Sequence, residues 1–161
     1  MVVVSNTSPL SNLVVIGEIA LLQEIYPKLL IPPAVQVELL RVPILRSAAS
    51  SLIDTGWLQI HVPAPSELLH SLNQILDPGE AEAIALAVEL QASRLLIDER
   101  LGRKVAAQHG LKLRGLVGIL IHAKQQGLIP ALKPILDRLV KQAGFRVSQT
   151  LYMRALQEAG E

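Results

Sequence analysis

Asp98 closes an apolar run, Leu95-Leu96-Ile97, and is followed at once by Glu99 and the charged pattern Arg100-Leu101-Gly102-Arg103-Lys104. Three large aliphatic residues are too few for a helix face and read as a buried strand. A carboxylate at the carboxyl end of such a strand, with a helix behind it, stands where open α/β sheets place their ligands. Three further residues share that kind of position. Asn6 ends the β-branched run Val2-Val3-Val4. Glu38 lies on a helical stripe with Val35, Leu39 and Val42, at spacings of three and four. Glu80 opens the most helical segment of the chain, just before the Asp98 strand. Brought together, these oxygens would hold a hard divalent cation, Mg²⁺ or Mn²⁺. Such an ion promotes phosphodiester hydrolysis by activating water and clamping phosphate oxygens.

Each of the four also has a purely structural reading. Asp77-Pro78-Gly79-Glu80 is a capping-box-like helix start, and Glu82 fits a solvated helix position. Asp98 suits the N-cap of the helix that follows it. Glu38 is placed to pair with Arg41, and Asn6 to cap a helix or form an Asx-turn. What favours a site is the set, because four unrelated caps need not fall at strand ends and helix starts in this order.

The elements that would position these residues follow from the pattern of the chain. Val2–Val4 is a short strand, and Ser8-Pro9 reads as an N-cap with a first-turn proline. Lys28–Ile31 is a second strand, stopped by Pro32-Pro33, with a helix over Ala34–Arg41 that Pro43 ends. A short helix is expected over Ser47–Asp54, and an alternating edge strand over Gly56–Pro63. Helices follow over Ser66–Leu76 and from Asp77 to Leu90. Beyond the Asp98 strand and its helix come a strand over Leu111–Val117 and an apolar helix over Gly118–Gln126. Two amphipathic tail helices close the chain, the last capped by Ser148 and Gly160. Short apolar strands alternating with helices give an α/β fold whose central sheet of about four or five mainly parallel strands carries helices on both faces. With no linker in 161 residues, one domain is expected over 1–161, a core unit at 1–123 and C-terminal helices at 124–161.

Composition narrows the function classes. Half the residues are hydrophobic, four are aromatic, and the net charge is +1, so any nucleic-acid surface must be local. Arg100, Arg103 and Lys104 share a helix face, with Arg114 and Lys112 beyond it; they are the candidate nucleic-acid contacts, against the alternative of a solvated face. Cysteine is absent, which removes disulfides, thiolate zinc sites and a cysteine nucleophile. His61, His70, His109 and His122 lie at no zinc-pair spacing. No phosphate loop such as GxGxxG or GxxxxGK[ST] is present, which counts against a nucleotide-binding protein. The Leu116–Ile121 run falls far short of the ~20 residues that span a bilayer, and no basic leader opens the chain. The expectation is a soluble cytoplasmic protein with no membrane contact.

Four segments in order resemble the PIN-domain family, which includes the VapC-type toxin ribonucleases. They are Ser5-Asn6-Thr7-Ser8-Pro9-Leu10, Ile31–Leu39, Gly79–Ala87 and Leu95–Leu101, and the resemblance covers about Val2 to Ala123. It implies a three-layer PIN-like fold and a divalent-metal-dependent nuclease, a prokaryotic endoribonuclease of toxin–antitoxin type cleaving RNA with Mg²⁺ or Mn²⁺. Carried over by motif position, Glu38, Glu80 and Asp98 are the catalytic acids and, with Asn6, the metal ligands; Glu82 stands in for Glu80 if the register differs by half a turn. The resemblance further implies a small antitoxin partner and a homodimer. One departure matters: the family usually carries aspartate where this chain has Asn6. An amide offers a neutral oxygen and cannot act as a general base. The alternative is therefore a weak or silent PIN-like binding module.

Overall fold

The computed structural model describes residues 1–161. Five strands, β1 (Val3–Ser5), β2 (Leu29–Ile31), β3 (Leu58–Ile60), β4 (Arg94–Leu96) and β5 (Leu113–Arg114), form one sheet. The strand order is β3-β2-β1-β4-β5, and every pairing is parallel. The ten helices are α1 (Thr7–Val15), α2 (Ala20–Ile25), α3 (Pro33–Leu40), α4 (Pro43–Asp54), α5 (Glu67–Ile75), α6 (Pro78–Glu89), α7 (Arg100–Gln108), α8 (Leu116–Gln125), α9 (Lys133–Gln142) and α10 (Gln149–Glu158).

Side-chain alternation along the strands creates the layers. Val3, Leu29, Ile31 and Leu96 point into one apolar cluster, shared with α1, α8, α9 and α10. Val4, Leu30, Leu95 and Ile97 point into a second, shared with α5, α6 and α7. A one-residue slip of any strand would exchange the two sets, so the register is fixed by both faces at once. Each Leu or Ile buried in these layers contributes about 1.5–3 kcal/mol relative to exposure.

The chain runs outward from β1 through β2 to β3, then returns to place β4 on the other side of β1. β1 and β4 are paired as Val3↔Arg94, Val4↔Leu95 and Ser5↔Leu96. Their adjacency makes this the point where the strand order reverses, and ligands of open parallel sheets bind in the crevice beyond the strand ends there. Asn6 and Asp98 both emerge into that crevice.

Several boundaries differ from those expected. Asn6, not Ser8, holds the N-cap position of α1. Pro43 both ends α3 and opens α4 as a first-turn residue, so α4 begins four residues before the expected Ser47. Strand β5 shrinks to Leu113–Arg114, because the next helix starts at Leu116 rather than Gly118.

Candidate metal and nucleic-acid site

Asn6 and Glu80 are two of only three buried residues with polar or charged side chains, 4% and 7% exposed; the third is Ser5. Ser5 is satisfied locally, its hydroxyl donating to the Asn6 carbonyl at 2.8 Å. Asn6 sits at an N-cap position yet makes no cap hydrogen bond with its side chain. Its Oδ1 instead faces Gly79 at the start of α6, and Oε1 of Glu38 crowds the same glycine. The Asn6 amide and the Glu38 carboxylate thus turn toward one spot from β1 and α3.

Glu38 is fixed from its other oxygen. Thr7 Oγ1 donates to Glu38 Oε2 at 2.5 Å, a charge-assisted bond of the stronger kind. The alternative Glu38–Arg41 pair does not form: the three ion pairs of the chain are Lys124–Glu161, Lys133–Asp137 and Arg138–Glu18. The stripe expected on α3 holds for Val35 and Leu39, which are buried, while Val42 is 44% exposed.

Glu80 is reached from α6 and α7. Asp77 caps α6, its Oδ1 accepting from the Glu80 N–H at 2.8 Å. The Glu80 side chain meets Gly102 of α7, where an added Cβ would lie 3.2 Å from Oε1. Burial first, then the neighbouring Asp77 carboxylate, push the Glu80 carboxyl from 4.5 up to about 7; Glu99 adds to the rise and the Asp77 backbone N–H opposes it. The capping-box reading is therefore correct for Asp77, and it leaves Glu80 a carboxyl held buried among acids. Glu82 has a separate task, with Oε1 accepting from the Ala34 N–H at 3.2 Å at the start of α3.

Asp98 caps a helix, but not the one that follows it. The N-cap of α7 is Glu99, which makes no side-chain cap bond. Asp98 Oδ1 accepts from the Leu116 N–H at 2.7 Å, closing the start of α8, and Oδ2 accepts from Ser8 Oγ at 3.3 Å. This cap across the sheet is why α8 begins at Leu116 and β5 is short. Burial raises the Asp98 carboxyl above its usual range; the Leu116 N–H, the Ser8 hydroxyl and Arg103 pull it back, and Glu99 adds to the rise.

Each of the three acids packs against a glycine: Glu38 at Gly79, Glu80 at Gly102, and Asp98 at Gly115, where Cβ would lie 3.0 Å from Oδ1. None of these glycines has the left-handed backbone that would itself call for glycine. They leave room beside carboxylates.

A family model described as a PIN domain matches residues 2–161. The chain belongs to the PIN-domain family. PIN domains are generally metal-dependent nucleases that act on nucleic acids and bind Mg²⁺ or Mn²⁺. The all-parallel five-stranded sheet with helices on both faces agrees with the three-layer fold expected from the resemblance. A comparison with curated proteins gave no significant match. No helix is long and apolar enough to cross a membrane.

The donors of this PIN domain suit a hard cation in type. All are oxygens, none of the acids is neutralised by a lysine or arginine ion pair, and Glu80 and Asp98 are held above their ordinary carboxyl range by burial. A cation would relieve that burden. No three carboxylates or histidines gather closely enough to hold one ion between them. An ion held here would take one or two of these carboxylates and complete its shell with water or substrate phosphates.

The basic residues expected to meet nucleic acid divide. Arg103 and Arg114 line a cavity of about 730 Å³ that also includes Ser8, Asp98 and Glu99. Arg103 is braced by donating from Nη1 to the Ile97 carbonyl at 2.7 Å, and Arg114 by donating from Nη1 to Tyr26 Oη at 3.1 Å. Arg100 and Lys104 are exposed on α7 and do not line that cavity. Arg146 and Arg154 do, and the sequence carried no signal for them, because α10 reaches this crevice only through tertiary packing.

Proposed function

We propose that this PIN domain is a divalent-metal-dependent endoribonuclease of toxin–antitoxin type, hydrolysing RNA phosphodiester bonds beside Asn6, Glu38, Glu80 and Asp98. The observation that carries the reading is the burial of Asn6 and of Glu80, which no lysine or arginine ion pair neutralises, at the reversal point of a parallel sheet packed mainly with apolar side chains. Structural ion pairs account for neither. One or two of the Glu38, Glu80 and Asp98 carboxylates would hold Mg²⁺ or Mn²⁺, with Asn6 adding a neutral carbonyl oxygen and water or substrate phosphate completing the shell; the bound ion would supply an activated water and charge stabilisation. Thr7 and Ser8 orient the Glu38 and Asp98 carboxylates, and Arg103 sits beside Asp98 where a phosphate would need a counter-charge. A small antitoxin that covers the acidic crevice, and a homodimer, belong to the same reading.

The test is metal-dependent cleavage of RNA by the purified chain and by Asp98→Asn. The substitution keeps an oxygen for the Leu116 N–H, so the fold is retained while the charge is lost. Cleavage requiring Mn²⁺ or Mg²⁺ and absent from the variant supports the reading; metal-independent cleavage, or full activity in the variant, rejects it. A second reading, a silent PIN-like binding module, is favoured by Asn6, since the site has one fewer carboxylate and no three acids share one centre. Asn6→Asp separates the two. The silent module predicts no cleavage until a carboxylate is placed at position 6, whereas the nuclease reading predicts cleavage by the unmodified chain and tighter Mn²⁺ binding by the variant.

A further inference from the structure

The cavity beside Asp98 has a second wall that the acidic site does not use. Leu151, Arg154 and Glu158 of α10, spaced three and four apart, form one stripe along it, and the turn Gly144-Phe145-Arg146 completes the rim. Gly144 adopts φ +68°, and the Phe145 N–H donates back to the Leu139 carbonyl at 3.0 Å. That helix ending turns Phe145 against the apolar core and leaves Arg146 exposed. The wall is held in place from its far end. Lys124 Nζ donates to the Ala159 carbonyl at 3.1 Å and pairs with Glu161 at 3.0 Å, while Glu161 Oε2 accepts from the Leu132 N–H at 2.6 Å.

Four arginines, Arg103, Arg114, Arg146 and Arg154, therefore surround one cavity. Arg146 and Arg154 are exposed and belong to none of the ion pairs of the chain. Guanidinium forks match phosphate oxygens in pairs, and four spread around a cavity suit a chain of phosphates better than a single anion. Glu158 opposes them, and Asp98 and Glu99 lie at the acidic end. At about 730 Å³ the space is that of a small-ligand pocket, which fits a few unpaired nucleotides better than the width of a duplex. Phe145, the only phenylalanine of the chain, contributes to the cavity's rim while packing against the core.

We infer that Arg146 and Arg154, carried by the C-terminal helix and the turn before it, bind the phosphates of a single-stranded nucleic acid that passes from this cavity to Asp98. The inference rests on the nuclease reading for its direction toward Asp98, but not for the binding itself. The test is fluorescence anisotropy of a short labelled single-stranded RNA, and of the same sequence as a duplex, with the full chain in EDTA so that cleavage does not intervene. Removing both guanidinium groups, in the Arg146→Ala/Arg154→Ala variant, should lower the slope of log affinity against log salt by about 1.4, or about 25-fold in affinity at 0.1 M salt. Glu158→Gln moves binding the other way, a response that a structural role for α10 would not produce. Thermal melting of both variants should overlay the parent, because the three side chains are exposed. Unchanged affinity and slope, a preference for the duplex, or no binding by the parent chain would each overturn the inference. Arginine-dependent binding without metal-dependent cleavage removes the nuclease reading and leaves this one standing; cleavage with binding indifferent to Arg146 and Arg154 does the reverse.

Discussion

Replacing Glu80 with glutamine should make the protein more stable while removing metal binding. The carboxyl stands at about 7 against 4.5 for an ordinary glutamate, and each pH unit corresponds to about 1.4 kcal/mol, so the ionised form carries a penalty of at most about 3 kcal/mol, reduced where solvent screens the charge. Because the folded value lies above the unfolded one, the folded state binds the extra proton between pH 4.5 and 7. Stability therefore falls as pH rises through that window and stays low above it. Glutamine keeps the shape and never ionises. The Glu80→Gln variant should match the parent near pH 4.5, then gain on it up to about pH 8, by about 1–3 kcal/mol once the amide's own desolvation is allowed for. Urea unfolding in EDTA, followed by the fluorescence of Trp57, the single tryptophan and a buried one, measures this at each pH. Mn²⁺ should restore the parent at about pH 8 and leave the variant unmoved. A variant no more stable than the parent at about pH 8, or a difference that does not widen between about pH 5 and 8, would refute the reasoning.

Three further outcomes follow from the geometry. Asp98→Ala should lose about 1–3 kcal/mol in urea unfolding, since the Leu116 N–H loses its partner, whereas Asp98→Asn should stay within about 1 kcal/mol; both should abolish cleavage. Gly79→Ala should gain up to about 1 kcal/mol of helix propensity but drive Glu38 Oε1 aside, weakening the Thr7 hydrogen bond by about 1.5–3 kcal/mol. Chemical denaturation should show a small net loss, and an RNA cleavage assay a fall of about 100-fold from misplacing the carboxylate. Gly102→Ala, which meets Glu80 Oε1 at 3.2 Å and Ile97 Cδ1 at 2.8 Å, should leave cleavage impaired with Mn²⁺ affinity, measured by calorimetry, reduced.

The parallel sheet and the strand-end position of Asp98 were legible because short aliphatic runs between helical patterns leave few alternatives. Val2–Val4 and Leu95–Ile97 announce themselves; their pairing follows from topology rules rather than from either segment. What stayed hidden depends on packing between distant parts of the chain. Nothing near Asp98 says that its carboxylate serves α8 instead of α7, and so nothing shortened the strand expected over Leu111–Val117. Gly79, Gly102 and Gly115 look like ordinary helix and turn glycines until an acid is found beside each. Arg146 and Arg154 lie in a segment read only for its apolar stripe, and a polar residue on the outer side of an amphipathic helix gives no hint of which crevice it borders.

The central place of β1 has a consequence for when the protein can act. Ser8 meets Asp98 across 90 positions of sequence, and β1 lies between β2, which follows it closely, and β4, which does not. During synthesis at about 5–20 residues per second, the first half of the chain can pair β1 with β2 and β3 and present Asn6 and Glu38 while Asp98 has yet to leave the ribosome. Long-range parallel pairing is also the slow class of folding event. The half-made chain thus holds one side of the acidic crevice without the other. On the proposed nuclease reading the chain is silent beside the ribosome that makes it, and becomes competent only after β4 has docked and α8 has been capped.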